Sequence, residues 1–378
     1  MGQPIIQFGT SRFLLAHAAL FVSQALERGE AGQAVGGICV VQTTGNQASA
    51  ARVAALSQAA GYPVHIRGVR RGATIDQILN GRAVHEALQA VAHWPRLLHK
   101  VAHDAKVIVS NTADSGYQLD ALDTAALLHD TPRAPRSFPA KLLLLLHHRW
   151  TQQPETELSI YPCELIERNG DMLRDLLCEL AGHWALPSSF IDWLRSHCVW
   201  ANSLVDRIVS EAIAPVGAVA EPYALWAIEQ QPRLRLPCVH ESIVLTNDLA
   251  RFARLKLFLL NGGHTFLAER WLRDARAADE TVLQAMQDAA LRAELEALWR
   301  EEMLPVFDAL GLRDVALCYL AELRERLLNP FLEHRLGEIA NNHAQKKQRR
   351  FAPLIGLAQQ YRLHLPQRRL RAALAHAD

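Results

Sequence analysis

An α/β domain followed by a mainly α-helical domain is the architecture this sequence predicts, on three observations. Apolar runs of strand length recur through the first part of the chain, helical patterns separate them, and beyond Thr246 the strand-like runs stop while helical periodicity continues. Strands alternating with helices imply a parallel sheet covered on both faces. The boundary is placed between residues 246 and 247.

Residues 4–8 form a short apolar run, followed by Gly9-Thr10-Ser11-Arg12-Phe13 and a helical pattern over residues 14–26. This is strand, turn and helix. A glycine there lets backbone approach a pyrophosphate, and the helix start offers free N–H groups. A full G-x-G-x-x-G would need glycine where Ser11 and Leu14 stand, so an ordinary strand-to-helix turn fits the same residues. A second buried strand is expected over 37–42, about thirty residues on, the spacing of the mononucleotide-binding half of a Rossmann-type domain. At its end, where an acidic residue would hold the ribose of NAD, stand Gln42, Thr43 and Thr44. Arg52 is either a partner for a 2′-phosphate or a solvated helix residue.

Residues 47–60 are alanine-rich and helical in pattern, and residues 75–92 read as a second helix. Residues 106–110 form the next strand and run into the polar, turn-forming residues 111–116, beginning Asn111-Thr112. The carboxyl end of a parallel strand is where open α/β sheets bind ligands. Ser137-Phe138-Pro139-Ala140-Lys141 leads five leucines into a buried helix, and residues 158–161 make a further strand ending in Pro162-Cys163-Glu164-Leu165-Ile166.

The chemistry concentrates in Lys256-Leu-Phe-Leu-Leu-Asn261-Gly262-Gly263-His264. At about 100° per residue Lys256 and His264 lie only about 80° apart on a helix, with Asn261 farther round. Each glycine costs a helix interior about 1 kcal/mol relative to alanine, so either a ligand or a tightly packed helix needs this backbone.

Composition narrows the partners. The chain has 378 residues, half of them hydrophobic, enough for two domains with their own cores. Forty basic against 39 acidic side chains leave a formal charge of +1, which argues against nucleic acid or a membrane surface held by gross electrostatics and leaves small molecules. Six scattered cysteines without a Cys-x-x-Cys pair, and no leader-like segment, imply reduced thiols in the cytoplasm. The leucine run 142–146 stops at His147-His148, far short of the roughly 20 residues of a membrane helix. No spacing suggests a metal site, and no Gly-x-Ser-x-Gly is present.

Lys256, Asn261 and His264 stand in the register Lys, four residues, Asn, two residues, His, which resembles the signature of the mannitol dehydrogenase family of polyol-specific long-chain dehydrogenases. The opening Phe8-Gly9-Thr10-Ser11-Arg12-Phe13, the Ser110-Asn111-Thr112 segment, Val205-Asp206-Arg207-Ile208 and Arg326-Leu327-Leu328-Asn329-Pro330 resemble further words of that family in the same order. Pro162-Cys163-Glu164-Leu165-Ile166 with Asn169-Gly170 resembles its tagaturonate reductase branch, which interconverts tagaturonate and altronate. Mannitol-type members carry an Asn where Leu165 stands.

The resemblance implies hydride transfer between nicotinamide and a keto sugar acid or polyol. Lys256 is then the general acid/base, its amine brought towards working pH by desolvation and by cations such as Arg326. Asn261 would donate to the carbonyl oxygen and His264 would hold a hydroxyl. Arg326 would face a uronate carboxylate, with His334 and Lys346 as further substrate residues and Arg350 as an additional anion contact. Gly9, Thr10, Ser11, Phe13, Gln42, Asn111, Thr112 and Asp206 would hold the cofactor, NAD by resemblance with NADP left open, and no metal is implied. The alternatives are a mannitol- or mannonate-type dehydrogenase and a cofactor-binding protein without turnover.

Overall fold

The computed structural model describes residues 2–30, 32–45, 47–58, 60–112, 116–129 and 133–376; residues 113–115 of the polar run after Ser110 lie outside them. The strands in chain order are β1 (Ile5–Phe8), β2 (Ile38–Gln42), β3 (Tyr62–Arg70), β4 (Ala73–Gly81), β5 (Val84–Gln89), β6 (Val107–Ser110) and β7 (Leu158–Pro162). They continue with β8 (Cys198–Trp200), β9 (Ser203–Asp206), β10 (Val209–Ala212), β11 (Ala218–Ala220), β12 (Leu225–Glu229) and β13 (Ile243–Thr246). The main sheet runs β5-β2-β1-β6-β7-β8, with every neighbouring pair parallel. Every residue of β1, β2, β6 and β7 is buried. That is why they read as mostly apolar runs rather than strictly alternating ones.

Phe8 is level with Val41 and with Ser110, and Ser110 with Pro162, so the carboxyl ends of these strands finish together. The strand order reverses between β1 and β6, the switch point at which such sheets bind ligands. Two smaller sheets follow the orders β10-β11-β3-β4 and β13-β12-β9.

Two sequence expectations change. The helix expected over 75–92 is absent, and β4 and β5 stand in its place. Val84, Ala87 and Leu88 are buried on β5, which pairs with β2 from Ile38↔Val84 to Gln42↔Gln89, and this pairing overrides the helix-forming Leu, Gln and Ala composition. The helix expected over 14–26 is broken into Arg12–Leu15 and Ala18–Glu27. His17 sits at the break with φ −125° and ψ −100°, its ring 4.9 Å from that of Phe13 and 4.6 Å from that of Phe21.

The chain forms two compact units. One comprises Met1–His65, Ile78–Ala220 and Ala224–Leu249, and the other Ile66–Gln77, Glu221–Tyr223 and Ala250–Asp378. The second has a helical core that includes Leu259, Leu267, Trp299, Phe307, Leu320 and Phe351. Among the described residues no helix is long and apolar enough to cross a membrane.

In the first unit Arg149, on the helix Phe138–Gln152, is buried. Its Nη1 donates to the carbonyls of Val101 at 2.6 Å and Ala105 at 2.9 Å, and its Nη2 to Thr156 Oγ1 at 2.9 Å. It thereby serves the end of the helix Trp94–His103, whose last carbonyls have no partner within the helix. Arg149→Met keeps the stem and strips those carbonyls of their donor, so urea unfolding is expected to show a loss of about 2–4 kcal/mol. An unchanged midpoint would mean that the carbonyls find other donors.

Candidate active site

At the carboxyl ends of β1, β2 and β6 the first unit gathers Gly9, Gln42, Asn111 and Thr112. Gly9 has φ +120°, and a Cβ there would stand 2.7 Å from the Asn111 carbonyl oxygen, so no other residue fits. Its N–H donates to the Val41 carbonyl at 3.0 Å, which closes the turn against β2. Thr10 is buried. Ser11, the departure from the glycine fingerprint, caps the next helix by accepting from Leu14 N–H at 3.5 Å. Phe13 lies against His17. Gln42 is buried, and its Nε2 donates to the Thr44 carbonyl at 2.5 Å. Asp206 ends β9 in a different sheet, buried and level with Leu225 of β12.

One residue here escaped the sequence reading except as part of a family word. Glu164, two residues past β7, is 3 % exposed. One of its oxygens accepts from Thr112 N–H and Thr112 Oγ1, both at 3.0 Å, and the other accepts from Ser110 Oγ at 3.1 Å. Burial raises its pKa, and the hydrogen bonds from Thr112 and Ser110 pull it back. Asn111 Nδ2 donates to the Cys163 carbonyl at 3.2 Å, so the two loops after β6 and β7 are held as one. An acidic residue just past the end of a parallel strand was the signal available. Leu165, by contrast, is 65 % exposed. Lys141 is buried, donates to the Arg136 carbonyl at 2.5 Å, and is lowered to about 8, first by burial.

The second unit holds Lys256, Asn261 and His264 on one continuous helical segment, π-helical over Leu255–Asn261 and α-helical over Gly262–Arg273. In a π turn the hydrogen bonds run from i to i+5, so residues five apart follow one another along one face. Asn261 therefore comes round towards the face of Lys256, where a uniform α-helix would hold it away. A wide turn leaves carbonyls to satisfy. Trp299 Nε1 donates to the Leu259 carbonyl at 3.3 Å and Arg350 Nη1 to the Asn261 carbonyl at 3.1 Å.

Packing accounts for Gly263 and leaves room for a methyl group at Gly262. A Cβ on Gly263 would lie 3.1 Å from the Trp299 ring and one on Gly262 3.4 Å from Met303. Trp299 and Met303 themselves belong to a second π-helical stretch, Leu298–Met303.

Around His264 the structure collects His334, Lys346 and Arg350. The two imidazole rings meet edge to face, 4.8 Å between centroids. His264 is 6 % exposed, and its Nε2 has no hydrogen-bond partner among the described residues. Burial, then the charges of His334, Arg326, Arg350 and Lys346, hold its pKa well below the usual imidazole value. His334 is lowered by burial and by Lys346, with Glu338 opposing. Lys346 is lowered by burial and then by Arg350, and donates to the Ile339 carbonyl at 2.7 Å. Arg350, lowered to about 10 by burial and then by Arg349, also donates to Thr265 Oγ1 at 2.6 Å.

Arg326 is buried among partners supplied by the protein itself. Its fork is engaged by Glu221, Nε to Oε2 at 2.9 Å and Nη2 to Oε1 at 2.8 Å. Its guanidinium carbon lies 4.1 Å from the centre of the Tyr223 ring, and its Nη1 donates to the Tyr319 hydroxyl at 3.4 Å.

A neutral buried His264 makes stability depend on pH. Its folded pKa lies below the unfolded value, so below about 6.5 the unfolded chain binds the extra proton and folding loses up to about 1.4 kcal/mol per pH unit. Stability is therefore expected to be full above pH 7 and to fall as pH drops towards 5. His264→Asn should flatten that slope in urea unfolding run at several pH values. An unchanged slope would show that His264 takes up a proton inside the fold.

Two family models match the chain: the mannitol dehydrogenase Rossmann domain over residues 3–237 and the mannitol dehydrogenase C-terminal domain over residues 248–377. An altronate oxidoreductase of Halalkalibacterium halodurans is 34% identical over 77% of this chain, and the match spans only 59% of that relative's length. An altronate oxidoreductase of Escherichia coli is 30% identical over 98% of this chain and 78% of its own. Among solved structures, D-sorbitol dehydrogenase in substrate-free form superposes with a TM-score of 0.81 over 99% of this chain and 80% of that one. Mannitol 2-dehydrogenase of Pseudomonas fluorescens, in a ternary complex with NAD and D-mannitol, superposes with a TM-score of 0.77 over 99% and 79%. Both are 18% identical to this chain and speak for the fold. The chain belongs to the mannitol dehydrogenase family.

Proposed function

We propose that this member of the mannitol dehydrogenase family is an NAD-dependent oxidoreductase acting on CH–OH groups, with a keto sugar acid of the tagaturonate/altronate kind as substrate. In this reading residues 1–246 hold the dinucleotide, residues 247–378 hold the substrate and the catalytic groups, and the enzyme works in the cytoplasm. The altronate oxidoreductases among its relatives support the substrate class. The observation that carries it is the group of positive side chains around His264. Lys346 and Arg350 have no ion pair with a carboxylate among the described residues, and each positive group depresses its neighbours. Such a cluster is relieved by an anion, and a sugar acid brings one. Arg326, already matched by Glu221, then serves to hold this wall, and the substrate carboxylate falls to Lys346 and Arg350.

The cofactor reading rests on the turn at Gly9, where a side chain has no room and only backbone can border a ligand. Gly9, Thr10, Ser11 and Phe13 would lie along the pyrophosphate, Gln42 near the adenosine ribose, and Asn111, Thr112 and Asp206 towards the nicotinamide. When bound, the nicotinamide supplies or accepts the hydride. Lys256 gives a proton to the carbonyl oxygen as it becomes a hydroxyl and, as the neutral amine, removes it in the reverse direction. Asn261 donates to that oxygen while charge develops there. His264, kept neutral by burial, has its unsatisfied Nε2 for a substrate hydroxyl.

The test follows the loss of NADH absorbance with tagaturonate, fructuronate and fructose in turn. A keto sugar acid is expected to be reduced, and Lys256→Ala to lower kcat by about 10²–10⁴-fold with NADH binding kept. NADH binding without turnover of any of the three would overturn the enzymatic reading. Lys346→Met should cost about 10–100-fold in kcat/KM for the keto acid and leave an uncharged ketose unaffected. Equal losses on both would remove Lys346 from carboxylate recognition.

A further inference from the structure

The end of β2 is the place where a dinucleotide site of this topology chooses between its two cofactors. A carboxylate there accepts the ribose hydroxyls of NAD and repels the 2′-phosphate of NADP. In this chain no Asp or Glu occurs between Glu30 and Asp76, a stretch that holds all of β2, the loop after it and the following helix Gln47–Gln58. The neighbouring strands supply none either. Gln42 is level with Gln89 on β5, and Val41 with Phe8 on β1. The carboxylate of β5, Glu86, lies three positions back opposite Cys39 and is taken by Arg96 at 2.6 Å and Lys100 at 2.9 Å.

Gln42 itself is buried, with its amide nitrogen given to the Thr44 carbonyl. The backbone beyond it is open. Thr44 and Gly45 are exposed, and a Cβ on Gly45 would meet nothing within 4 Å. The first charged group after β1 is a cation, Arg12, at the start of the next helix, exposed and without an ion pair among the described residues. Neither the turn after β1 nor the loop after β2 therefore carries a negative charge.

We infer that this corner admits a 2′-phosphate, so that the chain binds and uses NADP(H) alongside NAD(H). The inference rests on the dinucleotide reading above, and binding measured without substrate separates the two. Purified protein is titrated with NADH and with NADPH, following nicotinamide fluorescence. The expected dissociation constants lie within about tenfold of each other. Thr44→Asp restores a carboxylate on an exposed position, and is expected to weaken NADPH by about tenfold or more while NADH stays within about threefold.

NADH binding with NADPH weaker by more than about tenfold in the unmodified protein would overturn the inference and leave the dinucleotide reading intact. So would Thr44→Asp leaving NADPH affinity unchanged, because the 2′-phosphate would then lie elsewhere. Binding of neither would overturn both.

Discussion

Carbonyl groups released by a π turn have to be paired, and in the helical unit this constraint decides where Lys256, Asn261 and His264 stand. The Leu255–Asn261 turn is fixed by an indole N–H on one carbonyl and a guanidinium on another. Trp299 approaches this closely because Gly263, two residues past the turn, has no side chain. The same arrangement swings Asn261 towards Lys256 and draws Arg350 to the neighbourhood of His264. The placement of these side chains and the packing of the helix are one solution here, and Gly263 belongs to the packing side of it.

Buried charge elsewhere in that unit is neutralised pair by pair. Glu221 holds Arg326 with both oxygens. Glu269 accepts from His343 at 3.0 Å and Lys347 at 3.2 Å, and Glu302 pairs with the Arg369 guanidinium at 3.2 Å. Against that pattern Lys346 and Arg350 stand out, since carbonyl and hydroxyl oxygens are their recorded acceptors. Both are half-buried and lack a carboxylate partner among the described residues, so the contrast carries more weight than a count of basic residues.

The strands of the main sheet were legible in proportion to their burial. β1, β2, β6 and β7 are covered on both faces and appear in the sequence as predominantly apolar runs. β5 was misread because Leu, Gln and Ala suit a helix when the neighbouring strand is out of view. The register of Lys256, Asn261 and His264 was visible, but their geometry was not, since a period of 3.6 residues cannot reveal a π turn. Arg326 was legible as a candidate and its partner was not, because Glu221 is 105 positions away in the chain. Glu164 shows the same limit, its hydrogen bonds reaching back 52 positions to Thr112.

The helical unit is not a single stretch of chain. It includes the tip of the β3–β4 hairpin, residues 66–77, and the three residues Glu221–Tyr223. The short piece brings the carboxylate of Glu221 and the ring of Tyr223, both on Arg326. The hairpin tip brings the Arg67 carbonyl, which accepts from Asn329 Nδ2 at 3.0 Å, and the N–H groups of Arg71 and Gly72, both donated to Glu325 at 2.8 Å. A fragment beginning at residue 250 would therefore inherit a buried guanidinium stripped of its counter-ion. Dissection of this protein by truncation, whether in the laboratory or through gene fusion and fission, meets an obstacle that the linear order of its two halves does not reveal.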